Sequence, residues 1–505
     1  MSENSELTNL VSSAHLVLIG GFIGAGSQFA ERIIIGRFLS PTAYGEVSIG
    51  IAILTFSTTF ALAGLAQGVP RFFSRYDDEK DIRGIWLTGF CFSGALGIFL
   101  TGILLFSGET IAAILFEQPE STTLLTLFVL AIPFVVAQGI AVGGIRGNEN
   151  TIYRTYTKDL LYPLGRILLL VVLLAFGYDL VAAGWAYLIA AIVTSIVAHW
   201  LLHKLIPLFG PFSLHGREMI RFSLPLVVST VLSVLLMRTD TLMLAYFRSS
   251  EEVGQYTAAY PIAGSMLVVL TAFGYLYLPM ASRLDADNER DTLDDIYTVT
   301  TKWVYIITFP AFLLFVTFPT DVMQVFFGAE YIDAARALPI LAAGFFLSVA
   351  VGRDRETLSA LGDTRVIMYA NGAGFIINIA LNVILIPRYS FVGASVTSML
   401  SFGAVHAVVT FVLWYRYDII PLSSESVRTF VALPVVLIPL VLLLSGEVTI
   451  TALTILPFLI ITGLVGILIV AVAGGLEPQD QVAVEFFEDA VGGKLPLIRR
   501  YLPDE

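Results

Sequence analysis

Glu31-Arg32-Ile33-Ile34-Ile35-Gly36-Arg37-Phe38-Leu39-Ser40-Pro41-Thr42-Ala43-Tyr44-Gly45 recurs in outline 209 residues later, as Asp240-Thr241-Leu242-Met243-Leu244-Ala245-Tyr246-Phe247-Arg248-Ser249-Ser250-Glu251-Glu252-Val253-Gly254. Phe38, Ser40 and Gly45 fall on Phe247, Ser249 and Gly254, and the acid Glu31 falls on Asp240. The same shift lays Pro70 on Pro279, Gly165 on Gly374 and Gly184 on Gly393, with apolar segments and loops in phase. The chain is therefore read as a duplication, and the duplicated acids sit where the sequence is otherwise apolar.

Composition identifies the solvent. With 57% hydrophobic and 13% charged residues and a mean hydropathy of +0.84, most of the chain is solvated by lipid. Crossing a ~30 Å hydrocarbon layer takes ~20 apolar residues. Fourteen such runs lie near 11–36, 46–67, 84–106, 123–145, 158–177, 181–203, 222–246, 255–279, 300–319, 334–352, 366–386, 392–414, 429–445 and 449–473. The expected fold is an all-α polytopic membrane protein with 14 transmembrane helices. The N-terminus is not expected to be a cleavable signal, because Glu3 and Glu6 precede the first run and no basic cluster does. A single cysteine, Cys91, excludes an intrachain disulfide or a thiolate metal site.

Basic residues gather in alternate loops: Arg71, Arg75, Lys80 and Arg83; Arg146, Arg154 and Lys158; Lys204, Arg217 and Arg221. The pattern continues to Lys494, Arg499 and Arg500, whereas the intervening loops hold only Arg37, Arg248, Arg336 and Arg388. Positive charge marks the cytoplasmic side, so both termini are expected there, in a multi-pass protein of the cell membrane. Six spans per half make the two copies parallel, related by an axis along the membrane normal. The expected organisation is an N-terminal six-helix bundle over 1–209, a C-terminal six-helix bundle over 210–418, two further helices over 419–475 and a cytoplasmic tail over 476–505. A cleft between two such bundles, opened alternately to each side, is a natural transport path.

The net charge of −12 does not indicate nucleic acid as a partner, because the acids lie in loops such as Asp77-Asp78-Glu79. Arginine outnumbers lysine 23 to 5, and acid-rich, lysine-poor surfaces suit a salt-rich cytoplasm.

The charges inside the spans are the candidate site. Glu31 and Arg32 fall in the outer part of the first span, and Arg238 and Asp240 in the matching part of the seventh. Each costs roughly 2.5–3.5 kcal/mol at a helix centre facing lipid, so a path between helices is the expected location. Local pairing of acid with arginine, or snorkelling to the headgroups, is the structural alternative. Glu31 and Asp240 are candidates for binding a coupling proton or Na⁺. Arg166 lies about two turns inside the cytoplasmic boundary, where a guanidinium can either meet a phosphate with forked, charge-assisted bonds or snorkel inward. Gln28, Gln67, Asn378 and Asn382 can line a path or hydrogen-bond between helices.

Other motifs carry less. His199 and His203 have metal-ligand spacing but cap a span beside Trp200, where interfacial side chains are expected. Asp285-Ala286-Asp287 sits in a charge-rich loop, and a phosphate-cradling Gly-Lys-Ser/Thr sequence is missing, which removes nucleotide hydrolysis as a drive. Neither a metal nor a cofactor is expected.

The segment Ile34 to Glu46 resembles the span 1–2 hairpin of polysaccharide and O-antigen flippases. Asp240 to Leu244 followed by Val253-Gly254-Gln255-Tyr256 is similar to their span 7–8 hairpin, and Leu361 to Arg365, Asn378, Asn382 and Leu385-Ile386-Pro387-Arg388-Tyr389 to their span 10–12 region. The family belongs to the multidrug, oligosaccharidyl-lipid and polysaccharide exporter superfamily. The resemblance implies two six-helix bundles around a central cavity and movement of a polyprenyl-linked sugar from the inner to the outer leaflet. It implies that Arg32 and Arg238 handle the lipid phosphate, since they match cationic cavity residues by helix and depth. For a halophilic archaeon the expected carrier is dolichol phosphate, with membrane lipids as surroundings and glycosyltransferases and an oligosaccharyltransferase as functional neighbours. Two alternatives stay open: an organic-cation antiporter of the same superfamily, and a membrane glycosyltransferase or ligase.

Overall fold

The computed structural model describes residues 3–118, 120–274, 277–420 and 422–481; these form helices and turns, and no strand occurs among them. Inside a bilayer the backbone must satisfy its own polar groups, and helices do so within one segment. The chain is clustered into two compact units, Met1–Thr257 and Ala258–Glu505.

The first unit contains α1 (Glu3–Phe38), α2 (Pro41–Leu62), α3 (Leu65–Phe73), α4 (Glu79–Phe106), α5 (Ser121–Gly147), α6 (Tyr162–Ala175), α7 (Val181–Leu205), α8 (Gly216–Phe247) and the first turns of α9 (Ser250–Gly264). Ser40 starts α2 by accepting a bond from the Ala43 amide, with Pro41 in the first turn, where it loses no helical bond. Leu65, Val69 and Phe72 of α3 pack with Ile85 of α4, Ile140 of α5 and Leu202 of α7 into an apolar core. Glu46 of α2 is wholly buried yet satisfied: it accepts from the amides of Glu117 and Gln118 at 3.0 Å and from Ser121 Oγ at 2.5 Å.

Helix α6 is entered through a short helix, Thr151–Arg154, and a π-helix, Thr155–Leu161. Helix α1 lies against this wider turn because glycines face it. A Cβ built on Gly20 would lie 2.1 Å from the Thr155 methyl, and one on Gly24 3.1 Å from the Asp159 carbonyl.

The second unit contains the remainder of α9, then α10 (Arg290–Thr317), α11 (Leu338–Ala350), α12 (Thr364–Tyr417), α13 (Ser424–Leu444) and α14 (Ile455–Val472). At ~1.5 Å per residue, the 54 residues of α12 far exceed a membrane's width, and the helix breaks at Ser390 (φ 55, ψ −140), so it provides two crossings. After α14 the chain folds back onto α10. Lys302 of α10 is fully buried and bonds Asp480 at 2.6 Å, Glu477 at 2.7 Å and the Gly475 carbonyl at 3.3 Å. Asp480 also accepts from Trp303 Nε1 at 2.7 Å, and Glu477 from Ser423 at 2.5 Å. Of the expected tail over 476–505, residues 482–505 lie outside the described part.

Among the described residues nine helices are long and apolar enough to cross a membrane, or ten when the bent segment Ala329–Arg336 plus Leu338–Ala360 is one span. The difference from fourteen has visible causes. The first expected span falls partly outside the residues whose side chains are described, the fifth is divided by the π-helix, the eighth is interrupted after Gly264, and the eleventh and twelfth run together as α12.

Candidate functional site: a caged arginine and its carboxylate

Glu31 of α1 is 2% exposed, in the interior of the first unit. An unpaired carboxylate there would cost several kcal/mol, about 3–5 by analogy with broken buried pairs. Arg166 of α6 answers it, with Nη2 2.8 Å from Oε2. The Arg166 guanidinium lies 4.6 Å from the ring centre of Tyr162 and 4.4 Å from that of Tyr187. Tyr162 is one turn earlier on α6 and shares its face, while Tyr187 comes from α7. A desolvated cation over an aromatic face gains about 2 kcal/mol. Arg166 Nε has no hydrogen-bond partner among the described residues. The rings hold the guanidinium in place, and one of its donors is uncommitted.

Arg32 turns to a different tyrosine. It hydrogen-bonds Tyr44 of α2, and the buried Tyr44 hydroxyl donates to the Thr257 carbonyl at 3.2 Å. The charge of Arg238 on α8 also bears on Tyr44. Asp240, 1% exposed, accepts from the Tyr256 hydroxyl at 2.8 Å. The first unit thus holds Arg166 against Glu31, Arg32 and Arg238 about Tyr44, and Asp240 against Tyr256, each buried charge with a tyrosine beside it.

Helices α2 and α9 meet at repeat-related residues. A Cβ on Gly45 would lie 1.8 Å from the Ser250 carbonyl, and one on Gly254 1.9 Å from that of Pro41. Ser48 Oγ donates to Thr257 Oγ1 at 3.1 Å, a contact across the same offset of 209. Only glycine permits this approach of the two backbones.

The remaining candidates lie elsewhere. Gln28 is on an exposed face of α1, and Gln67, also exposed, accepts from Arg146 at 3.3 Å. Asn378 and Asn382 are buried in the second unit, where Asn382 Nδ2 donates to Asn378 Oδ1 at 3.0 Å. Sequence reasoning did not single out the tyrosines. Tyr162 was detectable by its four-residue spacing from Arg166, whereas Tyr187 comes from another helix and left no local signal.

The fold and the buried charges define a multi-pass membrane protein with paired charges and tyrosines in its interior. The chain belongs to the polysaccharide biosynthesis protein family, whose profile matches residues 10–285, more than half its length; the MatE family matches residues 225–384. It is similar to the probable low-salt glycan biosynthesis flippase Agl15 of Haloferax volcanii, 25% identical over 409 residues, 79% of this chain and 82% of that one. The succinoglycan biosynthesis transport protein ExoT of Rhizobium meliloti is 22% identical over 63% of this chain and 62% of its own. Among solved structures, the lipid II flippase MurJ in an inward closed conformation superposes with a TM-score of 0.73 at 13% identity, covering 94% of this chain and 99% of MurJ. An inward-facing multidrug resistance MATE transporter gives 0.66 at 17%, covering 80% and 98%. The fold is therefore that of the exporter superfamily, as the sequence resemblance implied.

Proposed function

We propose that this protein is a flippase that moves a polyprenyl (dolichol) phosphate-linked sugar or oligosaccharide from the inner to the outer leaflet by alternating access, and not an enzyme. The observation that carries the reading is Arg166 itself, a buried guanidinium caged by two rings and holding a carboxylate with a donor to spare. A phosphate presents the same oxygens as Glu31 and can take its place with a forked pair of bonds. The sugar headgroup cannot cross hydrocarbon unaided, so a polar path shelters it while the isoprenoid stays in lipid.

With both termini cytoplasmic, bundles over 1–209 and 210–418 rock about the close contact of Gly45 with Gly254. Arg32 and Arg238, both within reach of Tyr44, take part in holding the phosphate. Moving one negative charge outward across an inside-negative membrane gains ~2.3 kcal/mol per 100 mV. Glu31 and Asp240 bind the proton or Na⁺ that resets the empty carrier; intact turnover in Glu31→Gln and Asp240→Asn variants would refute that role.

The MATE-like fold favours a second reading, export of organic cations. A guanidinium at Arg166, with Arg32 and Arg238 beside Tyr44, repels such substrates, which places this reading second. Gene deletion separates them: truncated surface glycans with the lipid-linked precursor retained inside support flipping. Unchanged glycans with heightened sensitivity to cationic drugs would reverse the order.

A further inference from the structure

The inner end of the first unit holds a second group of cations, none of them in the cluster described above. Arg146 ends α5, Arg154 ends the short helix before the π-helix, and Lys158 lies within that π-helix. Lys158 lies within electrostatic range of both arginines and of Asp159. Arg154 Nη1 is 3.3 Å from Asp159 Oδ2, and Arg146 Nη1 donates to Gln67 at 3.3 Å. Three cations against one carboxylate leave a net positive charge where the positive-inside pattern places the cytoplasmic face.

Backbone geometry aligns two of these cations, Arg154 and Lys158, with Arg166. Residues 154, 158, 162 and 166 are spaced by four, a spacing that drifts around an ordinary α-helix. The π-helix closes each bond one residue later than an α-helix and offsets that drift. Tyr162 and Arg166 do share a face, as the ring contact shows. Lys158 and Arg166 are eight residues apart, about 12 Å along the axis.

We infer that Arg146, Arg154 and Lys158 form a receiving station for a phosphate ester at the inner leaflet, which passes the headgroup past Tyr162 to Arg166. This inference rests on the flippase reading given above. The π-helix is then part of the transport path: it keeps Arg154, Lys158 and the caged arginine on one line. Asp159 is to Arg154 what Glu31 is to Arg166, a carboxylate that occupies the guanidinium until a phosphate displaces it.

The test is stopped-flow binding of a two-isoprene alkyl phosphate to the full chain in nanodiscs of phosphatidylcholine, with and without phosphatidylglycerol. Arg154→Gln/Lys158→Gln should lower the association rate about tenfold and flatten its dependence on salt, because steering is an ionic-strength-dependent rate effect. Arg154→Lys/Lys158→Arg should restore the rate, which separates charge from folding. Arg166→Gln should act on dissociation instead. An unchanged association rate in the glutamine pair, with binding still lost in Arg166→Gln, overturns the receiving station and leaves the flippase reading standing. Undiminished binding in Arg166→Gln overturns that reading as well. Phosphatidylglycerol slowing the wild type to the rate of the glutamine pair assigns the cations to bilayer lipid and overturns the hand-over.

Discussion

Arg166 in the first unit and Lys302 in the second are both buried cations, but their surroundings differ. Lys302 gives its ammonium to two carboxylates and a carbonyl, and those carboxylates are in turn held by Trp303 and Ser423. Arg166 has one carboxylate, two ring faces, a hydrogen bond to Tyr162 and an uncommitted Nε. A saturated cation fixes structure, since any competitor would have to replace several bonds at once. A cation held in place by rings but only partly satisfied by oxygen is suited to exchanging its anion.

The largest expected effect lies on the structural side of this comparison. Lys302→Met leaves Glu477 and Asp480 facing an apolar wall, and breaking a buried pair costs about 3–5 kcal/mol. Thermal unfolding in detergent should show that loss, and protein that remains folded should still bind the alkyl phosphate. Normal stability with binding abolished would erase the distinction between the two cations.

A smaller effect is expected at the exchangeable pair. Glu31→Gln removes the competitor of the phosphate while keeping side-chain volume. The alkyl phosphate should bind about tenfold tighter, equivalent to ~1.4 kcal/mol, as measured by calorimetry. Weaker binding would mean that Glu31 positions Arg166 and does not compete for it.

Much of this comparison was legible in the sequence. Glu31, Asp240 and Arg166 stood out as charges within apolar runs, and the offset of 209 predicted matched sites that the structure shows in contact at Gly45 with Gly254 and Ser48 with Thr257. The pairing of Glu31 with Arg166 was not legible. It depends on α1 lying close to the π-helix through Gly20 and Gly24, a tertiary fit with no local periodicity. Local pairing of Glu31 with Arg32 was the natural alternative from adjacency, but adjacent helical residues do not face each other. Nothing in the sequence around Lys302 marks it as buried, because its burial depends on a segment some 175 residues later in the chain.

The smallest effect is expected at an ion pair outside the spans. His215 Nε2 lies 2.9 Å from Asp81 Oδ1, and this hydrogen bond holds the Asp81 carboxyl below its ordinary range. A depressed carboxyl contributes stability that is present above its unfolded pKa and lost as pH falls through its folded value. His215→Gln should therefore remove this small contribution at neutral pH and flatten the acid-side loss that Asp81 causes. Carboxyl titration by carbon NMR should show Asp81 moving upward; no movement would remove His215 as the cause.

If Arg166 carries the phosphate across, its loss must show in translocation of a fluorescent polyprenyl phospho-sugar in proteoliposomes, comparing the wild type with Arg166→Gln. Losing one charge-assisted interaction of about 1.5–3 kcal/mol should slow transport by roughly 10- to 100-fold while the protein stays folded. Transport at the wild-type rate by a folded Arg166→Gln protein would contradict the claim.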